Sequence, residues 1–154
     1  APEHASESLG AIRIGRERIG KTMEGFDVVP TVPLVIGDDL TACADQIRPY
    51  AALYVGGMGS KEQNFYHALA CRMGHESAAD QVQEAFLARD YAGAAAAVPM
   101  EFVDTTSLIG PASRIKERLS AFADSGVTTL TVAVNTGTIE QRLASLRTLI
   151  ELAS

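Results

Sequence analysis

Val127–Val134, VTTLTVAV, is the stretch that decides the fold class of this chain. It is rich in β-branched residues and contains neither proline nor glycine, so it predicts a β-strand. A helix is predicted on its N-terminal side, opening at Gly110-Pro111, because proline suits the first position of a helix. Apolar residues at helical spacing mark the buried face of that helix. They are Ile115, Leu119 and Phe122.

A turn and a final helix are predicted on the C-terminal side of this strand. Asn135-Thr136-Gly137 is a typical turn sequence. Thr138 and Gln141 follow it in the spacing of a capping box, which predicts the start of a helix. The apolar face of this helix is predicted to consist of Ile139, Leu143, Leu146 and Ile150.

A second strand is predicted at about residues 28–36. Asp27–Ile36, DVVPTVPLVI, is a continuous apolar run, as in a parallel strand that is buried on both faces. Pro30 and Pro33 each remove a backbone donor, so the strand is placed mainly in the second half of the run. It ends at Gly37, and Asp38 or Asp39 is the expected N-cap of the next helix.

The rest of the chain is predicted to be mostly helical. A helix at residues 6–23 precedes the first strand, and a helical stretch at about 39–108 separates the two strands. This alternation predicts a helix-rich α/β fold with a parallel sheet. Two parallel strands do not normally form a sheet by themselves. We therefore expect either that the chain is part of a longer one or that another copy completes the sheet.

Composition and charge narrow the possible partners. The chain has 154 residues, a net charge of −6 and a pI near 5.0, which disfavour nucleic acids and anionic membranes as partners. It has no apolar run near the roughly 20 residues that span a bilayer. The first residues, APEHASES, do not resemble a signal peptide. Two cysteines form no disulfide framework, which fits a cytoplasmic protein.

The spacing of residues along the sequence points to few candidate metal-binding or ligand-binding sites. His67, Cys71 and His75 are spaced at i, i+4 and i+8, but Gly74 is expected to end the helix and no fourth ligand is near. We therefore expect no metal site. The glycine-rich stretch 55–60, VGGMGS, is predicted to be a turn, either joining two helices or approaching a ligand closely.

The cations of the first helix and the strand ends are further candidates. The cations line one face of that helix, where a solvated surface is favoured over an anion site. They are Arg13, Arg16, Arg18 and Lys21. Ligands in parallel α/β folds gather at the carboxyl ends of strands, which draws attention to the loops after Gly37 and at Asn135.

Two runs of sequence carry a resemblance to a known family. The first is RPYAALYVGGMGS at 48–60 together with NFYHALACRMG at 64–74, and the second is LIGPASRIKERLSAFADSGV at 108–127. From about residue 25 onward, the chain resembles the C-terminal half of the luciferase-like monooxygenase superfamily. It is most similar to the oxidoreductases that use the deazaflavin coenzyme F420.

The resemblance implies part of a (β/α)8 barrel. Asp27–Ile36 would be its seventh strand and Val127–Val134 its eighth, with a helical insertion at about 39–108 inside a single partial domain, 1–154. It also implies hydride transfer by a flavin or deazaflavin enzyme, with F420 as coenzyme and FMN as the alternative. This segment would shape the substrate side of the pocket for a small molecule, and we expect it to be inactive alone, without the N-terminal part of the barrel.

No catalytic residue can be transferred from the family to this segment. Candidate substrate- or cofactor-binding residues are Gly37, Tyr54, Gly56, Gly57, Met58, Asn64, Phe65 and Asn135. Two other functions remain open: a self-assembling barrel remnant that forms homo-oligomers, and an all-helical binding protein. The all-helical alternative fails if Val127–Val134 is a strand paired with residues 32–36.

Overall fold

The computed structural model describes residues 1–153, of which Ser6 and Glu7 are described without their side chains. The chain divides into two compact units. The sheet unit contains Ala1–Asp38 and the chain from Thr106 onward, and the helical unit contains Asp39–Thr105. Within residues 1–153, none of the helices combines the length and the apolar character that crossing a bilayer requires.

Eight α-helices and three β-strands are formed by the described residues, after a short 3-10 helix at Pro2–His4. In chain order they are α1 Ala5–Glu17, β1 Thr31–Ile36, α2 Leu40–Gly57, α3 Phe65–Arg72, α4 Glu76–Leu87, α5 Tyr91–Ala97, α6 Met100–Thr106, β2 Leu108–Gly110, α7 Ala112–Asp124, β3 Thr131–Ala133 and α8 Ile139–Ala153.

The sheet is parallel, with β1 in the middle of the order β2-β1-β3. Val32 lies opposite Val132, so the two predicted strands are direct neighbours. This pairing confirms the predicted α/β class and shows that the all-helical interpretation is wrong. Leu34 lies opposite Leu108 on the other side of β1.

The prediction of two strands is wrong, because β2 is a third. Three residues between two helices are too few to show a strand period, so β2 leaves no signal in the sequence. β3 is also shorter than the predicted 127–134. The carbonyl of Val28 accepts from the backbone N–H groups of both Thr128 and Thr129, at 3.1 and 3.3 Å, so a regular ladder starts only at Thr131.

The core of the sheet unit lies between β1, β2 and α7. Its buried residues are Val32, Leu34, Leu108, Ile115 and Phe122. The buried face predicted for α7 is therefore confirmed, and Leu119 packs against the same core. α1 ends six residues before the predicted Met23, since Gly20 takes a left-handed backbone conformation with φ +69°.

The predicted apolar face of α8 is exposed in this chain. Ile139 is 70% exposed and Ile150 is 66% exposed, and Leu143 and Leu146 are exposed as well. The helix contacts the core of the sheet unit through Leu149 and Leu152 instead. The capping box is confirmed, because the backbone N–H of Thr138 donates to Gln141 Oε1 at 2.8 Å and that of Gln141 donates to Thr138 Oγ1 at 3.3 Å.

The helical unit is built on close contacts between helices. α2 begins where Asp39 caps it, accepting from the backbone N–H of Ala42 at 3.0 Å, as the sequence predicts. Pro49 lies inside α2 without ending it. Small residues are common in the core of the unit, which lets the helices approach closely. They include Ala44, Ala51, Ala52, Ala70, Ala79 and Ala94.

Candidate functional site

Gly37 and Asn135 lie at the carboxyl edge of the sheet. Gly37 directly follows β1, and Asn135 follows the end of β3 by two residues, so the parallel sheet places both at the same edge. The backbone N–H of Gly37 donates to the carbonyl of Gly110 at 3.0 Å and is therefore already satisfied. The Asn135 residue is exposed.

The other six candidates lie in the helical unit, where the turn predicted at 55–60 begins later than expected. α2 continues through Gly56 and Gly57, and the chain turns only after Met58. A Cβ atom at Gly56 would lie 2.5 Å from the Cβ atom of Phe86 on α4, and one at Gly57 would collide with the Phe86 ring. A contact between two helices thus explains both glycines, which sequence reasoning placed in a loop.

Asn64 joins the end of α2 to the start of α3. Its side-chain oxygen accepts from the backbone N–H groups of Tyr66 and His67 at 2.9 and 3.1 Å. Its side-chain nitrogen donates to the carbonyls of Tyr54 and Val55 at 3.1 and 2.8 Å. The residue is only 5% exposed. Asn64 therefore fixes the positions of its neighbours, and both its side-chain oxygen and its side-chain nitrogen are used in doing so.

Four aromatic rings, here called the aromatic cluster, surround this junction. They are Tyr50, Tyr54, Phe65 and Tyr66. Ring centroids lie 4.6 Å apart for Tyr50 and Tyr54, 4.7 Å for Tyr54 and Tyr66, and 5.4 Å for Phe65 and Tyr66. Phe65 is 64% exposed and Met58 is 46% exposed. The helical unit therefore presents apolar side chains at its surface beside the hydrogen-bonded junction of α2 and α3.

The pKa of Tyr50 is raised to about 12 by burial, by the hydrogen bond with Tyr54 and by the charges of Tyr54 and Tyr66. Below pH 10 the Tyr50 hydroxyl is protonated in both the folded and the unfolded chain. Between pH 10 and 12 it ionises in the unfolded chain while it stays largely protonated in the folded chain. We therefore expect the stability of the helical unit to fall across this interval, with less loss in Tyr50→Phe. Urea unfolding at several alkaline pH values measures the free energy of unfolding of the native chain and of Tyr50→Phe. An equal loss in both proteins would contradict the assignment.

His67, Cys71 and His75 do not form the metal set that their spacing suggests. His67 Nδ1 lies 3.6 Å from Cys71 Sγ, while His67 Nε2 lies 2.9 Å from an oxygen of Asp80. The two contacts use opposite ring nitrogens, so both cannot serve one ion. The His75 ring packs 5.7 Å from that of Phe102. Asp80 was missed by the sequence analysis, because only the fold brings α4 beside His67.

None of the eight candidate residues lines the cavity of the helical unit. A cavity of about 10 Å³ inside the helical unit has apolar walls and is no larger than a water molecule. At the sheet edge, the N–H of Gly37 is already bound, and only three parallel strands contribute. The described residues therefore place the candidates at a sheet edge and on a partly apolar surface of the helical unit.

Comparison with known proteins gives three findings. The family model for luciferase-like monooxygenases matches residues 1–129. Rv3520c of Mycobacterium tuberculosis, whose name describes it as a candidate coenzyme F420-dependent oxidoreductase, is 32% identical over 126 residues. That match covers 82% of this chain and 36% of the mycobacterial protein.

The third finding is a structural likeness. The coenzyme F420-dependent tetrahydromethanopterin reductase from Methanopyrus kandleri matches with a TM-score of 0.72 and 20% identity, over 99% of this chain and 40% of the reductase. At this identity the likeness shows a shared fold. The chain spans less than half the length of either protein.

Proposed function

Because this chain belongs to the luciferase-like monooxygenase family, we propose that it is the C-terminal portion of an F420-dependent oxidoreductase. The observation that carries the proposal is the 32% identity, over 82% of the chain, to a protein named for that coenzyme. The coenzyme would supply hydride transfer to or from a small-molecule substrate. FMN is the alternative coenzyme. We also propose that the protein is cytoplasmic.

The sheet unit supports a partial barrel as its architecture. Parallel strands are normally covered on both faces, and among residues 1–153 the three-stranded sheet leaves β2 and β3 each with an unpaired edge. The exposed apolar face of α8 also needs a covering partner. We propose that the remaining barrel strands provide these contacts and that the helical unit is an insertion within one partial barrel domain, 1–154.

The helical unit would form the substrate side of the pocket. Met58 and Phe65 are exposed apolar side chains, and Asn64 holds the chain between α2 and α3 in place. A fixed apolar surface orients a substrate and keeps water out, both of which favour hydride transfer. Gly37 and Asn135 at the sheet edge are proposed contacts for the coenzyme or the substrate.

A coenzyme titration of this chain tests how the site is divided. We expect neither F420 nor FMN to bind tightly, because the barrel strands outside this chain would supply most of the coenzyme pocket. Coenzyme fluorescence and equilibrium dialysis measure the binding. A dissociation constant of about 1 μM or below would contradict the proposed division of the site, since it corresponds to about 8 kcal/mol of binding free energy from this chain alone.

The exposed face of α8 favours one alternative, a barrel remnant that assembles with copies of itself without enzymatic activity. Burial of Ile139, Leu143 and Ile150 between copies would then hold a homo-oligomer together. Light scattering after size-exclusion chromatography measures the mass. A stable oligomer that Leu143→Lys dissociates would support this alternative, and a monodisperse monomer would contradict it.

A further inference from the structure

We propose that Cys71 is a thiol-modification site that accepts a sulfur substituent from a small disulfide, with His67 as its base and Asp80 as the residue that orients His67. The inference rests on the arrangement of three side chains on α3 and α4 and is independent of the proposed oxidoreductase activity. Cys43, the other cysteine of the chain, is only 3% exposed, whereas Cys71 is half-buried at the surface of the helical unit.

The geometry places a base beside the thiol. Cys71 lies one helical turn after His67, and its sulfur is 3.6 Å from His67 Nδ1. Asp80 accepts a hydrogen bond from His67 Nε2 at 2.9 Å. A carboxylate on Nε2 keeps the proton there, so that Nδ1 is left as the acceptor for the thiol proton. The His67 side chain is only 19% exposed, and both of its ring nitrogens have a partner in this arrangement.

The reaction is a thiol–disulfide exchange. The Cys71 thiol transfers its proton to His67 Nδ1, and Asp80 stabilises the imidazolium that results. The thiolate attacks one sulfur of the disulfide, so that a new S–S bond to Cys71 forms and the original S–S bond breaks. The departing thiolate takes the proton from His67 and leaves as a thiol. Cys71 is oxidised to a mixed disulfide, and the small disulfide is the oxidant.

The surroundings of Cys71 disfavour its thiolate form, so the reaction needs a base that accepts the thiol proton. Burial, together with the carboxylates of Glu76 and Asp80, raises the pKa of the Cys71 thiol, and the opposing effect of Arg72 is smaller. A thiolate that forms without help is therefore scarce at neutral pH. Proton transfer to His67 avoids this obstacle, because the negative sulfur then faces a positive ring.

The test measures the rate at which dithiobis-nitrobenzoate reacts with the whole folded chain at neutral pH, with peptide mapping to identify the labelled cysteine. We expect Cys71 to react and Cys43 to react only after denaturation. We expect His67→Gln to lower the rate constant at least about tenfold, in line with the loss of a positioned base. His4→Gln, the same chemical change at an exposed residue of the sheet unit, is expected to leave the rate constant unchanged.

Asp80→Asn keeps the proposal testable if His67→Gln does not fold. Asp80 is largely exposed, so its replacement is expected to preserve the fold, and we expect the rate constant to fall about threefold through loss of the imidazolium partner.

In the native chain the reaction should persist at neutral pH, while in His67→Gln the rate constant should rise only at alkaline pH. Oxidised glutathione should add one glutathionyl group that dithiothreitol removes. Unchanged rate constants in folded His67→Gln, or labelling of Cys43 alone, would overturn the proposal.

Discussion

Replacing Asn64 with alanine is expected to lower the free energy of unfolding of the helical unit by about 3 kcal/mol. The replacement removes four hydrogen bonds at a buried position, two donated to the carbonyls of Tyr54 and Val55 and two accepted from the N–H groups of Tyr66 and His67. The loss of unfolding free energy should exceed that caused by removing an ordinary helix cap. The carbonyls of Tyr54 and Val55 at the end of α2 lose their hydrogen-bond donor at the same time.

Tyrosine fluorescence during urea unfolding measures this effect selectively. The chain has no tryptophan, and all four tyrosines lie within Asp39–Thr105. Asp39→Ala, which removes a helix cap whose side chain accepts one hydrogen bond, from the N–H of Ala42, is the matched control and should cost about 1 kcal/mol. Asn64→Asp keeps the two accepted bonds and places negative oxygen against two carbonyls, so it should also destabilise the unit. Equal effects of Asn64→Ala and Asp39→Ala would contradict the assigned role.

Replacing Gly56 with alanine is expected to destabilise the helical unit by about 2–3 kcal/mol, even though alanine favours a helix by about 1 kcal/mol over glycine. The new methyl group would lie 2.5 Å from the Cβ atom of Phe86 and 3.1 Å from the carbonyl oxygen of Val82. Neither atom is the end of a flexible side chain, so α2 and α4 must separate to make room.

Three further variants make this prediction specific. Gly10→Ala in α1 has open space around its new Cβ and should stabilise the chain by up to about 1 kcal/mol. Gly57→Ala collides only with the ring of Phe86, so it should cost little in a Phe86→Ala background, whereas Gly56→Ala should stay costly there. Urea unfolding followed by tyrosine fluorescence measures the Gly56 and Gly57 variants in the helical unit, and circular dichroism during the same unfolding measures Gly10→Ala in the sheet unit. Rescue of both glycine variants by Phe86→Ala would contradict the geometry.

Local signals in the sequence were enough to place most of the sheet unit. The β-branched run before Asn135, the proline that precedes α7 and the capping box of Thr138 and Gln141 each determine an element through contacts within a few residues. The pairing of Val32 with Val132 then follows, because a helix connects parallel strands. β2 could not be predicted from local signals. Its three residues form a strand because they pair with the edge of β1.

The candidate site was harder to predict for the same reason. Gly56 and Gly57 have the composition of a turn, and only their contact with Phe86 on another helix keeps them helical. Asn64 was selected as a candidate ligand residue, but its four hydrogen bonds depend on the end of α2 returning beside it. Asp80 is far from His67 in sequence. In each case a contact between helices decides the role of the residue, and no local pattern encodes it.

A fluorescence titration of F420 against two polypeptides tests the account most directly. One is this chain alone, and the other is this chain joined to the portion of the mycobacterial relative that it does not match. The account predicts that the joined polypeptide binds F420 and that this chain alone does not. Equal binding by this chain alone would contradict the account. A joined polypeptide that folds cooperatively, as judged by circular dichroism, yet fails to bind F420 would contradict it as well.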